Sequence, residues 1–146
     1  MASNISSFIK KPAGQAKKPP ALPAGNYQYV IKGFETGDNN KNKTPYLRLA
    51  IGLLGYGEDI DQSEIDPGID LSKRQMRKDF YLTDDSLWRL DEFIKTTGID
   101  FEGKDYEEVF PLLVGEQGIA EVQQYMNQQN NEIGNQIGKL VGSKES

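Results

Sequence analysis

The sequence contains neither cysteine nor histidine among its 146 residues. Without cysteine, the chain can form no disulfide, no thiol nucleophile and no cysteine-ligated metal site. Without histidine, it lacks the commonest general base, the commonest transition-metal ligand and every imidazole-activated nucleophile. Carboxylate and lysine chemistry remain, but the sequence shows no motif for either. We therefore predict a protein that is not an enzyme and that uses no cofactor and no metal.

Long apolar runs are missing as well. The most apolar stretch, residues 47–54, is interrupted by Arg48 and is far too short to span a bilayer. The N-terminus lacks the apolar segment of a secretory signal. Together with the absence of cysteine, these features predict a single soluble domain in the cytoplasm, without a membrane partner.

Charge is unevenly distributed along the chain. The net charge is −5, yet residues 1–53 carry eight Lys/Arg against two acids. Residues 54–72 carry six acids and no base, and residues 73–82 carry four bases and one acid. A binding face depends on local rather than total charge, so a polyanionic partner remains compatible with this composition.

The predicted order of elements is three strands, a helix and two strands. Alternating or β-rich stretches predict the five strands, at residues 25–37, 44–54, 73–83, 118–126 and 131–141. Thr83 or Asp84 is predicted to cap the helix, and Gly98 to end it. A shorter helical turn, broken by Pro111, is expected before the fourth strand.

Two segments are predicted to be mobile. Residues 1–24 hold four prolines, four lysines and no acid, which predicts a flexible basic arm. The acidic loop, residues 55–72, is predicted to be solvated; Glu64 stands where a calcium loop needs glycine, so no calcium site is expected. The domain itself is predicted to span residues 25–142, followed by a short tail at 143–146.

The helix carries an apolar stripe. The residues that recur at helical spacing are Leu87, Trp88, Leu90, Phe93 and Ile94. Because the neighbours of Trp88 on this stripe are all apolar, we predict that its ring belongs to the core and is not a stacking platform.

Five strands with one helix between the third and the fourth predict a mainly β fold, a five-stranded OB-fold-like Greek-key barrel with a flexible N-terminal arm. Such barrels bind oligonucleotides or oligosaccharides on the face of strands two and three. The loops that join strands one to two and four to five flank that face.

The second strand places aromatic and basic groups on this outer face. Leu47, Leu49 and Ile51 alternate with Tyr46 and Arg48. This alternation predicts that the three aliphatic side chains point inward and that Tyr46 and Arg48 point outward. Cations contact phosphates, and tyrosines stack on unpaired bases. The predicted nucleic-acid-binding residues are Lys41, Lys43, Tyr46, Arg48, Arg74, Arg77, Tyr81 and Tyr125.

Four segments also resemble a known family. They are LPAGNYQYVIKGFE, KTPYLRLAIGLL, RKDFYLTDDSLWRLDEFIKTTGI and NEIGNQIGKLV, in this order over residues 22–141. Together they are similar to bacteriophage single-stranded DNA-binding proteins with an OB-fold, which are often found near phage replication and recombination genes. The resemblance implies a DNA-binding role in the host cell cytoplasm, and it directs attention to Tyr46 and Arg48 and then to Arg77 and Tyr81.

The leading hypothesis is therefore a phage-type protein that coats single-stranded DNA during replication or recombination. RNA is an alternative ligand, and a homo-oligomer and phage replication or recombination proteins are further candidate partners. The alternative function is a phage virion or assembly protein, which the acidic total and the Gln/Asn-rich final hairpin suit. An enzyme using the acids of the 55–72 loop is disfavoured, because catalytic acids need a rigid scaffold.

Overall fold

The computed structural model describes residues 13, 20–39, 41 and 43–143. These residues form five strands and two α-helices, with the bounds β1 Gly25–Asp38, β2 Pro45–Tyr56, β3 Gln75–Tyr81, α1 Leu87–Thr97, α2 Tyr106–Leu113, β4 Gln117–Asn127 and β5 Glu132–Gly142. The mainly β architecture and the positions of the five predicted strands are confirmed. Most of the predicted arm at 1–24 and of the tail at 143–146 lies outside the described residues.

The strands form one antiparallel sheet in the order β3-β2-β1-β4-β5. Within the described chain the sheet does not close into a barrel, since β3 and β5 remain its two edges. The two edges nevertheless meet at one point, where the Lys78 ammonium on β3 donates a 3.0 Å hydrogen bond to the Gly138 carbonyl on β5. A side chain thus spans the gap that a backbone ladder would fill in a closed barrel.

The core lies on the inward face that the second strand predicts. Leu47, Leu49 and Ile51 on β2 are each at most 1% exposed. Tyr27 and Tyr29 on β1 are fully buried beside them. Burying a leucine or isoleucine side chain stabilises a fold by about 1.5–3 kcal/mol, so this alternation fixes which face of the sheet turns away from solvent.

The first strand lies between β2 and β4 and carries two register irregularities. Its register with β2 shifts between Gln28 and Tyr29 and again between Ile31 and Gly33. Such bulges increase the bend and twist of a strand. Residues 25–30 pair with β4, whereas pairing with β2 continues past the bulges to Asp38.

Helix α1 packs on β5 and begins later than predicted. The helix begins at Leu87 and its N-cap residue is Ser86, so neither Thr83 nor Asp84 caps it, although the Leu87 amide donates to the Thr83 carbonyl. Gly98 ends the helix in the left-handed conformation, as predicted, with φ of 78°. At its C-terminal end, Thr96 Oγ1 accepts a 2.7 Å hydrogen bond from the Gly142 amide.

The prediction that Trp88 belongs to the core is wrong. Its side chain is 53% exposed, whereas Leu90 and Ile94 are fully buried. Residues two apart on a helix do not face the same side. Trp88 precedes Leu90 by two positions, so it points away from the buried stripe and into solvent.

A second helix replaces the broken turn expected between α1 and β4. Asp105 caps α2 by accepting from the Glu108 amide, and the helix runs through Pro111. Proline removes one donor but leaves the apolar face of the helix intact, and Phe110 of that face is buried. No described segment is a helix of the length and apolarity needed to cross a membrane.

The acidic loop is anchored to the sheet although its acids are exposed. Ile60 is only 5% exposed, and the Asp59 carboxylate accepts from the backbone amide of Asn26 on β1 at 3.2 Å. Two short 3₁₀ turns, Gln62–Glu64 and Leu71–Lys73, shape the rest of the loop. Apolar side chains within the loop therefore tie it to the core, which its charge pattern did not indicate.

Candidate nucleic-acid interface

The outer face of β2 and β3 brings together aromatic and basic residues predicted from the sequence. The antiparallel register sets Tyr46 directly opposite Tyr81, and Ala50 opposite Arg77. Tyr81 is 47% exposed, and Arg77 is also exposed. Directly opposite side chains in a sheet lie about 4.5–5.5 Å apart at Cβ, so the two tyrosines are neighbours on one surface.

Arg48 lies on the same face but is paired with acids. Its guanidinium donates two hydrogen bonds to the Asp79 carboxylate, at 2.9 and 3.1 Å, and lies 3.5 Å from a Glu35 oxygen. The hydrogen bonds to Asp79 raise the pKa of Arg48 above its ordinary value. The guanidinium carbon also sits 4.8 Å from the centre of the Tyr46 ring. Arg48 therefore holds the Tyr46 ring in place, and its positive charge is partly neutralised by Asp79 and Glu35.

A groove of about 1080 Å³ runs beside this face, between β3 and the β4–β5 hairpin. Four predicted residues line it: Arg48, Arg74, Arg77 and Tyr125. Three further bases or acids line it as well, namely Lys78, Glu35 and Asp79. Cations outnumber acids among these side chains, and the two acids both contact Arg48, so the remaining bases give the groove a positive character.

Arg74 lines the groove and contacts the chain ahead of β1. Its guanidinium donates to the carbonyl of Pro20, in the segment that precedes β1. Leu22 in this segment is buried, its amide donates to Asn135 Oδ1 at 2.8 Å, and its carbonyl accepts from Gln124 Nε2 at 2.7 Å. These contacts begin at Pro20, before the predicted start of the domain at residue 25. The chain ahead of β1 thus helps to shape the groove.

Tyr125 forms part of the opposite wall. Its side chain is 46% exposed and lies over Gly134, its register partner on β5. A Cβ added to Gly134 would be 2.6 Å from Tyr125 Cζ. Glycine at this position therefore lets the ring lie flat across the hairpin, where it faces the groove.

The β1–β2 loop carries the two predicted lysines. Lys43 has a positive φ of 57°, and its amide donates to the Asn39 carbonyl at 2.7 Å. Lys41 and Lys43 are both exposed. The loop joins β2 one residue before Tyr46, so both lysines lie at the Tyr46 end of the face.

Sequence reasoning missed Lys78, which lies on the inward side of β3 at its open edge. It shares strand parity with Met76 and Phe80, and it is half-buried. Burial lowers the pKa of its ammonium. The sequence could have pointed to Lys78, because a lysine among apolar residues on the inward side of a strand indicates either a sheet edge or a binding site.

Asp61, which the sequence places at the start of the calcium-like stretch, already has hydrogen-bond partners. The Asp61 carboxylate accepts hydrogen bonds from the amide and hydroxyl of Ser63, and these bonds lower its pKa. Across the described residues, no group of three or more acids has a geometry that could hold a metal ion.

Comparison with known proteins adds no functional assignment. No protein-family model matches the chain, and no curated protein matches its sequence. Function is therefore inferred from the site itself.

Proposed function

We propose that this protein binds single-stranded DNA without catalysing a reaction, through the groove and the outer face of β2 and β3. The observation that carries the proposal is the groove itself, which is lined by Arg74, Arg77 and Lys78 and has Tyr125 on its wall. A phosphate chain needs cations, and unpaired bases need exposed rings. The groove offers both on one continuous surface.

We interpret the five-stranded antiparallel sheet as a partly open barrel of the OB type, and this interpretation supports the proposal. The strand order places β1 at the centre of the sheet, and both helices follow β3 and precede β4 along the chain. OB-folds are five-stranded, partly open Greek-key barrels that bind oligonucleotides on the face of strands two and three. The Lys78–Gly138 hydrogen bond draws β3 and β5 together where such a barrel has its seam.

The chemistry of binding is electrostatic attraction plus stacking. Each base stacked on an aromatic ring contributes about 1–3 kcal/mol with little sequence preference. Each phosphate neutralised by a cation releases condensed counterions, so affinity falls as salt increases. Tyr46, Tyr81 and Tyr125 supply the rings, and Arg74 and Arg77 supply cations that are not paired with Asp79.

The biological setting is proposed from the sequence resemblance. A protein similar to phage single-stranded DNA-binding proteins would coat exposed strands during DNA replication or recombination in the host cytoplasm. Stacking and phosphate contacts do not by themselves distinguish DNA from RNA, because the 2′-hydroxyl needs its own contact.

A fluorescence titration with oligo-dT at two salt concentrations tests the proposal. We expect binding at micromolar protein or below that weakens steeply with added salt. Duplex DNA of the same length serves as the comparison and should bind more weakly, since its bases are not available for stacking. Failure to bind the single strand at micromolar protein would reject the proposal.

A role in phage virion assembly is the second candidate. Met126 and Ile133 face each other across the β4–β5 hairpin and are 60% and 46% exposed. Exposed apolar pairs of this kind suit contact with another protein chain. Co-purification with phage particles, together with no shift of single-stranded DNA in a gel, would select this function.

A further inference from the structure

A second cavity lies where β3, helix α1 and β5 meet. Its volume is about 720 Å³, and it opens at the edge of the sheet that the ladder leaves unpaired. The side of the cavity formed by α1 carries Trp88, Arg89 and Lys95, and the strands contribute Tyr81 and Lys139. We call this cavity the Trp88 cleft.

The Trp88 cleft has exposed rings set among cations. Trp88 and Tyr81 are 53% and 47% exposed. The Arg89 guanidinium carbon lies 5.1 Å from the centre of the Trp88 ring, within the range of a cation–π contact. Lys95 and Lys139 are exposed at the same cleft. Two acids, Asp79 and Glu92, also line it, against four bases that include Lys78, so the lining keeps an excess of positive charge. An apolar partner would be opposed by these charges, whereas a polyanion with planar groups complements them.

The cleft is continuous with the groove. Lys78 and Asp79 line both cavities, so the two surfaces meet at β3. Tyr81, the register partner of Tyr46, lines the cleft, while Arg48 beside Tyr46 lines the groove. A chain that follows β3 from the groove to the cleft therefore passes the Lys78 ammonium and the Asp79 carboxylate, which is paired with Arg48.

We propose that a single strand bound in the groove continues over β3 into the Trp88 cleft, where Trp88 stacks on a base and Lys95 and Lys139 contact phosphates. The proposal rests on the proposed function and extends its binding path beyond the face of strands two and three. Arg89 holds the tryptophan ring in place through its guanidinium, and an arginine plane beside an aromatic ring enlarges the surface on which bases stack. A longer path would increase the number of nucleotides that one protein molecule covers.

Trp88 is the only tryptophan in the chain, so its emission reports the cleft alone. Two titrations with oligo-dT of about 16 nucleotides, near the upper site size for one OB-fold, separate the possibilities. Anisotropy of a labelled strand reports total binding. Tryptophan emission with an unlabelled strand, and its quenching by acrylamide, report occupancy of the cleft. We expect the bound strand to quench the emission and to shield the ring from acrylamide.

Variants identify the contacts. Trp88→Ala should weaken binding by about fivefold or more, since a stacked base is worth at least about 1 kcal/mol. The double variant Lys95→Ala/Lys139→Ala removes two phosphate contacts and should weaken binding by a similar factor. Lys104→Ala is the matched control, because Lys104 lies in the connection between α1 and α2 and among the described residues is not part of either cavity. Circular dichroism and melting temperature should match the parent, since all four side chains are exposed.

The outcomes distinguish this proposal from the proposed function. A rise in anisotropy with unchanged Trp88 emission and unchanged acrylamide quenching would overturn the Trp88 cleft as a binding site and leave groove binding intact. No rise in anisotropy would reject the proposed function itself, and the cleft proposal with it. Equal affinities for the parent, Trp88→Ala and the lysine double variant would likewise overturn the cleft proposal.

Discussion

Arg48 and Asp79 form a two-point pair across β2 and β3, with the guanidinium donating hydrogen bonds of 2.9 and 3.1 Å to the carboxylate. The pair stands on the face proposed to bind DNA and is about one-quarter exposed. A phosphate that approaches Arg48 must therefore compete with Asp79. We therefore expect the pair to weaken phosphate binding at Arg48, while Arg48 stays against the Tyr46 ring.

Removing this competition should strengthen binding. In Asp79→Asn, the amide keeps the shape of the side chain but loses its charge, so Arg48 becomes available to phosphate. We expect roughly fivefold tighter binding of oligo-dT, about 1 kcal/mol, the upper range for a partly exposed ion pair. The melting temperature should change by only a few degrees. Weaker binding of Asp79→Asn would show that the pair organises the site and does not compete with phosphate.

The facing tyrosines should contribute separately. Tyr46→Ala and Tyr81→Ala are each expected to weaken oligo-dT binding by about 1–3 kcal/mol, the worth of one stacked base. Tyr46→Phe and Tyr81→Phe keep the ring and should bind like the parent protein. The control for folding is the melting temperature, and a collapse of melting in Tyr46→Ala would make this half-buried ring structural.

Two glycines of the groove provide a matched test of Tyr125. In Gly134→Ala the new methyl would come within 2.6 Å of the Tyr125 ring and push it off the hairpin. The ring is the free end of a side chain, so we expect stability to change little and binding to weaken by about twofold to tenfold. At Gly33, in the same groove, a methyl meets open space among the described residues, so Gly33→Ala should bind normally. Equal binding by both variants would remove Tyr125 from the site.

Lys78 should favour binding at the expense of stability. Burial lowers the pKa of its ammonium, which means that the folded protein disfavours the charged form. Lys78→Met keeps the length of the side chain without its charge. It should melt at the same temperature or up to about 3 °C higher, and bind oligo-dT several-fold more weakly.

The pH dependence of this difference follows from the lowered pKa. Below it, Lys78 is charged in the folded and the unfolded protein, and the burial penalty opposes folding in full. As the pH rises through the lowered pKa towards the ordinary value of 10.5, the folded protein loses the proton first and the penalty fades. The melting advantage of Lys78→Met should therefore narrow as the pH rises towards 10.5. An advantage that widens would contradict the burial of a charged Lys78.

The strands could be predicted from the sequence because each shows its buried face as an alternation. Leu47, Leu49 and Ile51 needed no partner to be recognised as inward. Contacts between strands were harder to foresee. Pairing of Arg48 with Asp79 depends on the register of β2 against β3, which no single strand encodes.

The helical region misled sequence reasoning for a different reason. Trp88 stands among apolar residues at helical spacing, yet the buried stripe runs through Leu90, Ile94 and Thr97 and does not include Trp88. Pro111 suggested a break, but the cap at Asp105 and the packing of its apolar face sustain α2. Tertiary packing determined both the exposure of Trp88 and the continuation of α2 through Pro111. The local sequence does not reveal that packing.

The salt dependence of oligo-dT binding by the parent protein and by Arg77→Ala tests the central claim most directly. For single strands, each neutralised phosphate contributes a slope of about −0.7 to the logarithm of the association constant against the logarithm of salt concentration. We predict a steep slope for the parent and one shallower by about 0.7 for Arg77→Ala, with Lys104→Ala matching the parent. Identical slopes for the parent and Arg77→Ala, or binding indifferent to salt, would contradict a phosphate contact on the outer face of β2 and β3.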